Sequence, residues 1–423
     1  MKKFNIISLG CPKNLVDSEE ISYKISKLGY ELTLSENSDI SIINTCAFLK
    51  SAVKESEKII ENQIKLKKEG KIKKIIVCGC LIEREKEKLL KKYPEIDLII
   101  GINSINELEK AIKNRESLIL PSSDLYSQNR LRLTLKHSAY LKISDGCDNN
   151  CSYCLIPAIR GKLRSKTIEI LIKEAIALAD SGVKELNIIA QDITSYGIDI
   201  YKKPALKDLL KKLIKIKKIK WIRLMYIYPD RIDRELLEIV KDSNICHYLE
   251  MPLQHISDNV LKKMNRISSE KIIREKIELI KKIIPDMAIR TTFIVGFPGE
   301  SEKDFNKLIN FVKDIKFNNL AVFKYSREKG TKAFDLNNQI SSKIKNFRYR
   351  ELLKTHAEVV DKINKDLIGK DFEILMDNEN IGRAYFDAPD IDGYISFEDK
   401  KVPGTFLKAK IIEAKGYHRK VVG

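Results

Sequence analysis

Residues 140–154 read "YLKISDGCDNNCSYC": a short apolar run, an Asp-Gly turn, then three cysteines spaced Cys147-x3-Cys151-x2-Cys154. The run has the length and bounding turn of a strand, so the cysteines fall in the loop at its carboxyl end. A structural zinc would need a fourth ligand, and the nearest histidine, His137, precedes the strand and belongs at its other end. Unrelated buried thiols are the other reading, and three within eight residues argue against it. Soft thiolates in a cysteine-rich loop suit an iron-sulfur cluster. A four-iron cluster held by three cysteines leaves one iron open to a further ligand.

That strand is the first of six. "ELNIIAQ", "WIRLMYI", "CHYLEM", "AIRTTFIVG" and "LAVFKYS" follow, each but the last succeeded by a helix-like stretch. Six β/α units predict a partial, TIM-like (β/α)6 barrel with its chemistry at the carboxyl ends of the strands. Upstream, residues 1–115 alternate "FNIISL", "DISIIN", "KKIIVC" and "IDLIIG" with amphipathic helical patterns, which predicts an α/β domain on a largely parallel sheet. Residues 116–136 lose this rhythm, and their Pro-Ser-Ser reads as a linker. The barrel and a connecting helix fill 137–366. Residues 367–423, with "KDFEILMD", "GYISFE" and "TFLKAKIIEAK", fit a small C-terminal β-barrel. The fold class is therefore α/β, with an all-β module at the end.

A second trio is spread through the amino-terminal domain: Cys11 in "SLGCPKN", Cys46 in "INTCAF" and Cys80 in "CGCLIER". Each follows a predicted strand of one parallel sheet, so all three project from the same edge and can converge. Cys78, inside its strand, and Cys246, at the start of a barrel strand, read as small core hydrophobes.

The bulk numbers agree with a soluble globular protein. The 423 residues are 43% hydrophobic and 32% charged, no apolar run reaches the roughly 18 residues of a membrane span, and "KKFNIISLGC" is too short and too polar for an export signal. A cytoplasmic location is expected, where clustered thiols mean metal or redox chemistry. The net charge of +19 is spread over Lys-rich helices such as "LLKKLIKIKKIK", which read as solvated faces rather than as a nucleic-acid groove.

The three-cysteine motif after the first strand of a β/α barrel resembles the radical S-adenosylmethionine (SAM) enzymes. With amino-terminal cysteines and a small terminal β domain in that order, the chain resembles the methylthiotransferases over almost its whole length. The resemblance implies two 4Fe-4S clusters, one on Cys147, Cys151 and Cys154 and an auxiliary one on Cys11, Cys46 and Cys80. It implies SAM as both methyl donor and radical source, and an OB-like TRAM tail that recognises substrate. "SLGCPKNLVDSE", "MPLQHIS", "TTFIVGFPGE" and "GRAYFDAPDIDG" are similar to the RimO type, which methylthiolates the β-carbon of an aspartate in the small-subunit ribosomal protein numbered twelve. The tRNA-modifying MiaB type usually has "GCQMN" and "PVQSGS" at the corresponding places. A non-catalytic iron-sulfur RNA-binding module is the alternative from another class.

The same resemblance implies SAM contacts at Gln191 and along "IVGFPGE", where Gly296 and Gly299 let backbone approach the ligand. Tyr153 either packs on the adenine or is an exposed loop aromatic. Gln254, His255 and Arg290 face the barrel's mouth or interior, as cofactor contacts or as structural hydrogen-bonding groups. Arg160, Lys162, Arg164 and Lys166 either meet a substrate carboxylate or form a solvated loop. The expected partners are the ribosomal protein, free or on the ribosome, and an electron donor such as flavodoxin or ferredoxin, with no membrane. Residues 366–423 carry nine Lys and Arg against eleven Asp and Glu, which leaves +21 on the remainder. A slightly acidic tail suits a basic protein substrate better than tRNA phosphates, and the tail is expected to be a separable docking module.

Overall fold

The computed structural model describes residues 2–86, 88–120 and 129–422, which gather into two compact units. The first holds residues up to Thr134 together with Ser144–Asn149 and Cys154–Lys166; the second holds Leu135–Ile143, Asn150–Tyr153 and everything from Thr167 onward.

In the first unit the strands are β1 (Lys2–Ser8), β2 (Tyr30–Leu32), β3 (Ser38–Thr45), β4 (Ile72–Gly79) and β5 (Leu98–Ile100). They form one parallel sheet in the order β2-β1-β3-β4-β5. The central strands are apolar runs with both faces covered. On one face Ile43, Ile75, Val77 and Ile99 pack with Ile60 and Ile64 of the helix Lys50–Lys68. On the other, Phe4, Ile40, Ile42 and Ile76 pack with Ile21 and Ile25 of the helix Pro12–Lys27. Each such side chain contributes about 1.5–3 kcal/mol on burial. Cys78 lies in this second cluster, as expected, with its thiol 3.6 Å from the Ile43 carbonyl. The Pro-Ser-Ser of the linker lies outside the described residues. Beyond it, Arg130 and the Leu133 amide both bind the carboxylate of Glu19, each at 2.9 Å.

The second unit contains six parallel strands in chain order: β6 (Ser138–Lys142), then β9 (Glu185–Ile189), β10 (Trp221–Leu224), β11 (Ile245–Glu250), β12 (Ala288–Val295) and β13 (Asn319–Lys324). The strands β7 (Ser144–Asp145) and β8 (Arg164–Ser165) form a small antiparallel pair in the first unit. Crossover helices carry apolar stripes at helical spacing. Leu206, Leu209, Leu210 and Leu213 line one of them and Ile273, Ile277 and Ile280 another, all buried against the sheet. Lys211, Lys212, Lys215 and Lys217 of the Lys-rich run are exposed, as a solvated face should be.

The terminal strands β14 (Asp371–Met376), β15 (Ile381–Ala384), β16 (Tyr394–Ser396), β17 (Phe406–Lys415) and β18 (His418–Val422) close into a barrel. It is not a loosely appended module. Its segment 383–392 meets the amino ends of the six-stranded sheet, where Arg383 bridges Glu185 (2.7 Å) and Asp377 (2.6 Å). Asp392 pairs with Arg290 and accepts from the Tyr248 hydroxyl at 2.7 Å. Arg223, fully buried, donates to the Tyr385 carbonyl and to Glu185. Several tail acids that the sequence places in a charge sum are thus consumed internally. Cys246 is buried as expected, but beside Arg223 and Glu185 rather than in an apolar core; burial pushes its thiol up to about 12 against the pull of Arg223.

Candidate active site

Strands β1, β3 and β4 are neighbours and end in register, Ser8 opposite Asn44 and Thr45 opposite Gly79. Cys11 therefore caps the helix Pro12–Lys27, Cys46 directly follows β3, and Cys80 opens the helix Cys80–Glu85, all at one sheet edge. Two glycines permit the approach. Gly10 has φ +90°, and a Cβ there would lie 2.7 Å from the Cβ of Cys46; at Gly79, φ +95°, it would collide with the Asn44 side chain. Asn14 is the hub: its Nδ2 donates to the Leu9 and Thr45 carbonyls, both at 2.9 Å, and its Oδ1 accepts from the Cys80 thiol at 3.6 Å. Asn44 Nδ2 donates in turn to the Asn14 carbonyl at 2.7 Å.

The three thiols are close enough to influence one another. Burial pushes Cys80 up to about 12, partly offset by Arg160, with Cys11 and Cys46 adding to the rise. Burial also raises Cys46. Cys11 ends below the usual thiol range: burial opposes its ionisation, but Lys13, Arg160 and the backbone N–H groups of Asn14 and Lys13 at the helix start outweigh it.

The loop trio is built differently. Cys147 and Cys154 each accept a backbone N–H, from Asn149 and Ile156, both at 3.4 Å, the kind of N–H···S bond that steadies a metal-bound thiolate. Cys151 sits in a segment pinned by the Ser152 amide to the Met264 carbonyl at 2.9 Å and by the Ala333 amide to the Ser152 carbonyl at 2.7 Å. Its thiol faces Arg266. Burial works against that cation, but Tyr153, Tyr228 and Cys151 outweigh it, and the guanidinium lies 3.9 Å over the Tyr228 ring. All six cysteines are unbridged. Among the described residues no three His, Cys, Asp or Glu close around a single ion.

At the carboxyl ends of the second unit's strands, Gln191 lies two residues beyond β9. Gln254 holds φ +71° while its backbone still pairs with β12, and its side-chain oxygen is buried without a partner. A strained residue with an orphaned acceptor fits a position that a ligand completes. His255 Nδ1 accepts the Ser257 N–H at 3.0 Å, leaving Nε2 3.8 Å from Glu300 with no hydrogen bond. The Glu300 carboxylate accepts from the amides of Gly296 and Phe297 and so fixes the turn after β12.

The structure corrects the solvated-loop reading of Arg160, Lys162, Arg164 and Lys166. Gly296 and Gly299 both have positive φ, and a Cβ at either would meet a lysine side chain, Lys345 or Lys263. Tyr153 meets Phe297 edge-on at 6.5 Å. Arg290 lies in the amino half of β12, paired with Asp392 and 3.8 Å from Glu250, far along the strand from the mouth. Arg160 and Lys166 are buried, and Arg164 donates to Asn103 Oδ1 at 2.9 Å; only Lys162 of that quartet is exposed.

Residues 141–312 match the radical SAM superfamily, 3–101 match the uncharacterized protein family UPF0004, and 368–418 match the TRAM domain. The chain is 48% identical to the ribosomal protein uS12 methylthiotransferase RimO of Elusimicrobium minutum over 99% of both chains. It is 44% identical to the protein of the same name from Clostridioides difficile, over 99% of this chain and 98% of that one. The chain belongs to the RimO methylthiotransferase family. Among solved structures, the radical SAM methyltransferase TsrM from Kitasatospora setae shares the fold, with TM-score 0.57 and 13% identity over 76% of this chain and 74% of that one. The cobalamin-dependent SAM radical enzyme OxsB does so at TM-score 0.52 and 13% identity, over 86% and 56%.

In this RimO-family chain the residues that sequence reading missed are the polar ones beside the cysteines. Asn14 and Asn44 stand within three residues of Cys11 and Cys46. A side-chain amide at a strand end or in a helix's first turn, next to a cysteine, was the available signal. Tyr226, at φ +64° just past β10, is a second strained residue at the mouth. No helix among the described residues is long and apolar enough to cross a membrane.

Proposed function

We propose that the chain is a radical SAM methylthiotransferase acting on the β-carbon of an aspartate in ribosomal protein uS12, with two 4Fe-4S clusters. Cys147, Cys151 and Cys154 would hold the SAM-binding cluster, and Cys11, Cys46 and Cys80 the auxiliary one. When bound, these groups supply a radical and a methylthio group, chemistry no side chain offers against an unactivated C–H bond at pH 7. The chain's residues hold and orient. Gln254 presents its unpartnered oxygen at the mouth, Gln191 follows the carboxyl end of β9, two strands away from β11 in the sheet order, and Glu300 fixes the turn after β12. Arg290 has no part in cofactor binding on this reading, because Asp392 occupies it. An external electron donor such as flavodoxin or ferredoxin is required.

The observation that carries the proposal is the second set of three thiols converging at one sheet edge. A chain that only generated a radical would need one trio. The test is mass spectrometry of the small-subunit ribosomal protein beside nucleoside analysis of tRNA, in cells with and without the gene. A methylthio mass missing from the protein of deleted cells supports the reading; loss from tRNA alone overturns it.

A further inference from the structure

Arg160 follows Cys154 by six residues, yet its side chain is 1% exposed and ranks among the largest fully buried ones. A guanidinium keeps its charge at any ordinary pH, so burial obliges it to find partners. Nη1 donates to both oxygens of Asp145, at 3.1 and 2.8 Å. Nη2 donates to Asp17 at 2.8 Å and to Asn14 Oδ1, and lies 3.7 Å from Cys80 Sγ. Every one of these partners flanks a cysteine: Asp145 comes two residues before Cys147, and Asn14 and Asp17 come three and six after Cys11. No face of the guanidinium is left for a substrate carboxylate.

We propose that Arg160 is a positioning residue that sets the reduction potential of the auxiliary cluster, through its fixed charge and its N–H directed at Cys80 Sγ. The same guanidinium, through Asp145, anchors the turn that leads into Cys147. This inference rests on the reading of Cys11, Cys46 and Cys80 as cluster ligands. Its physical basis is that a reduced cluster carries more negative charge than an oxidised one, so a buried cation and hydrogen bonds to the sulfurs favour the reduced form. Asp17 acts with the opposite sign. Lys13 is a second cation beside Cys11, and each neutralising substitution at Arg160 or Asp17 changes the net local charge by one unit.

The full chain carrying C147A, C151A and C154A isolates the auxiliary cluster. After anaerobic reconstitution with iron and sulfide, iron per chain and the midpoint potential, followed by electron paramagnetic resonance, are compared for R160M, R160K and D17N in that background. R160M should lower the potential by roughly tenfold in the redox equilibrium, about 59 mV for one electron. D17N should raise it, and R160K, which keeps charge without the planar fork, should fall between R160M and the parent. Iron bound at parental levels with an unmoved potential in both R160M and D17N overturns the inference alone. Should R160M fail to fold, D17N decides by itself: a potential that stays put or falls overturns it. Absence of iron from the parent background overturns the cysteine assignment and this inference together, so the two failures are read from different columns of the same experiment.

Discussion

The two cysteine sets solve one problem in opposite ways. Cys147, Cys151 and Cys154 come from eight consecutive residues, and backbone amides serve two of their thiols directly. Cys11, Cys46 and Cys80 come from three strands and meet only because β1, β3 and β4 are adjacent and in register. Here side chains do the fastening: Asn14 and Asn44 lace the strand ends, and Arg160 reaches in beside Cys80. A site compact in sequence inherits its geometry from one loop. A site scattered in sequence needs polar side chains dedicated to holding it together, because the intervening chain imposes nothing.

The largest effect should separate the two sets outright. Replacing Cys147, Cys151 and Cys154 by alanine should remove about half of roughly eight irons and abolish SAM cleavage to 5′-deoxyadenosine, whereas C11A/C46A/C80A should also lose about half the iron but retain that cleavage. Equal loss of cleavage in both would erase the functional distinction. Next, Asn14→Ala leaves the Cys80 thiol and the Leu9 and Thr45 carbonyls short of a partner. It should cost about 1–3 kcal/mol in denaturant unfolding and deplete only the auxiliary iron; loss of iron from the loop set instead would mean that Asn14 is not specific to the scattered set. Gly10→Ala should act in the same direction more weakly if Cys46 can shift, and iron analysis checks it. The smallest effects belong to the two cysteines outside both sets. Cys78→Ser puts a hydroxyl into an apolar cluster and should cost about 1–2 kcal/mol, Cys246→Ser, beside Arg223, less than about 1 kcal/mol, with iron unchanged in each. A one-cluster iron content in Cys78→Ser would show that the wrong thiol of "CGC" has been assigned.

How much of this was legible follows from the same contrast. Most of the strands and the spacing of the loop trio could be read from short windows, since apolar runs bounded by turns and close cysteine spacing are local signals, and the alternation with helices gave the largely parallel sheet. The three-residue β2, Tyr-Glu-Leu, has no pattern long enough to show. Arg160 was legible as a charge and not as a buried one, because Asp17 lies 143 positions away along the chain. The tail's charge sum has the same limit: Asp377, Asp387 and Asp392 face arginines, and Arg383 and Arg419 are themselves buried, so what the tail shows to solvent differs from what it contains.

The contact between segment 383–392 and the amino ends of the six-stranded sheet also bears on how such proteins diversify. A tail that merely hung from the helix Ser342–Leu367 could be traded between relatives as a cassette. This one supplies Arg383 for Glu185, Asp392 for Arg290 and a carbonyl for Arg223, and breaking a buried pair by removing one partner typically costs about 3–5 kcal/mol. Exchange of the tail without its three counterparts would yield a chimera that fails to fold before its substrate preference could be tried. Sheet ends and tail therefore depend on one another for stability, and a change of target is better sought in the tail's outward face.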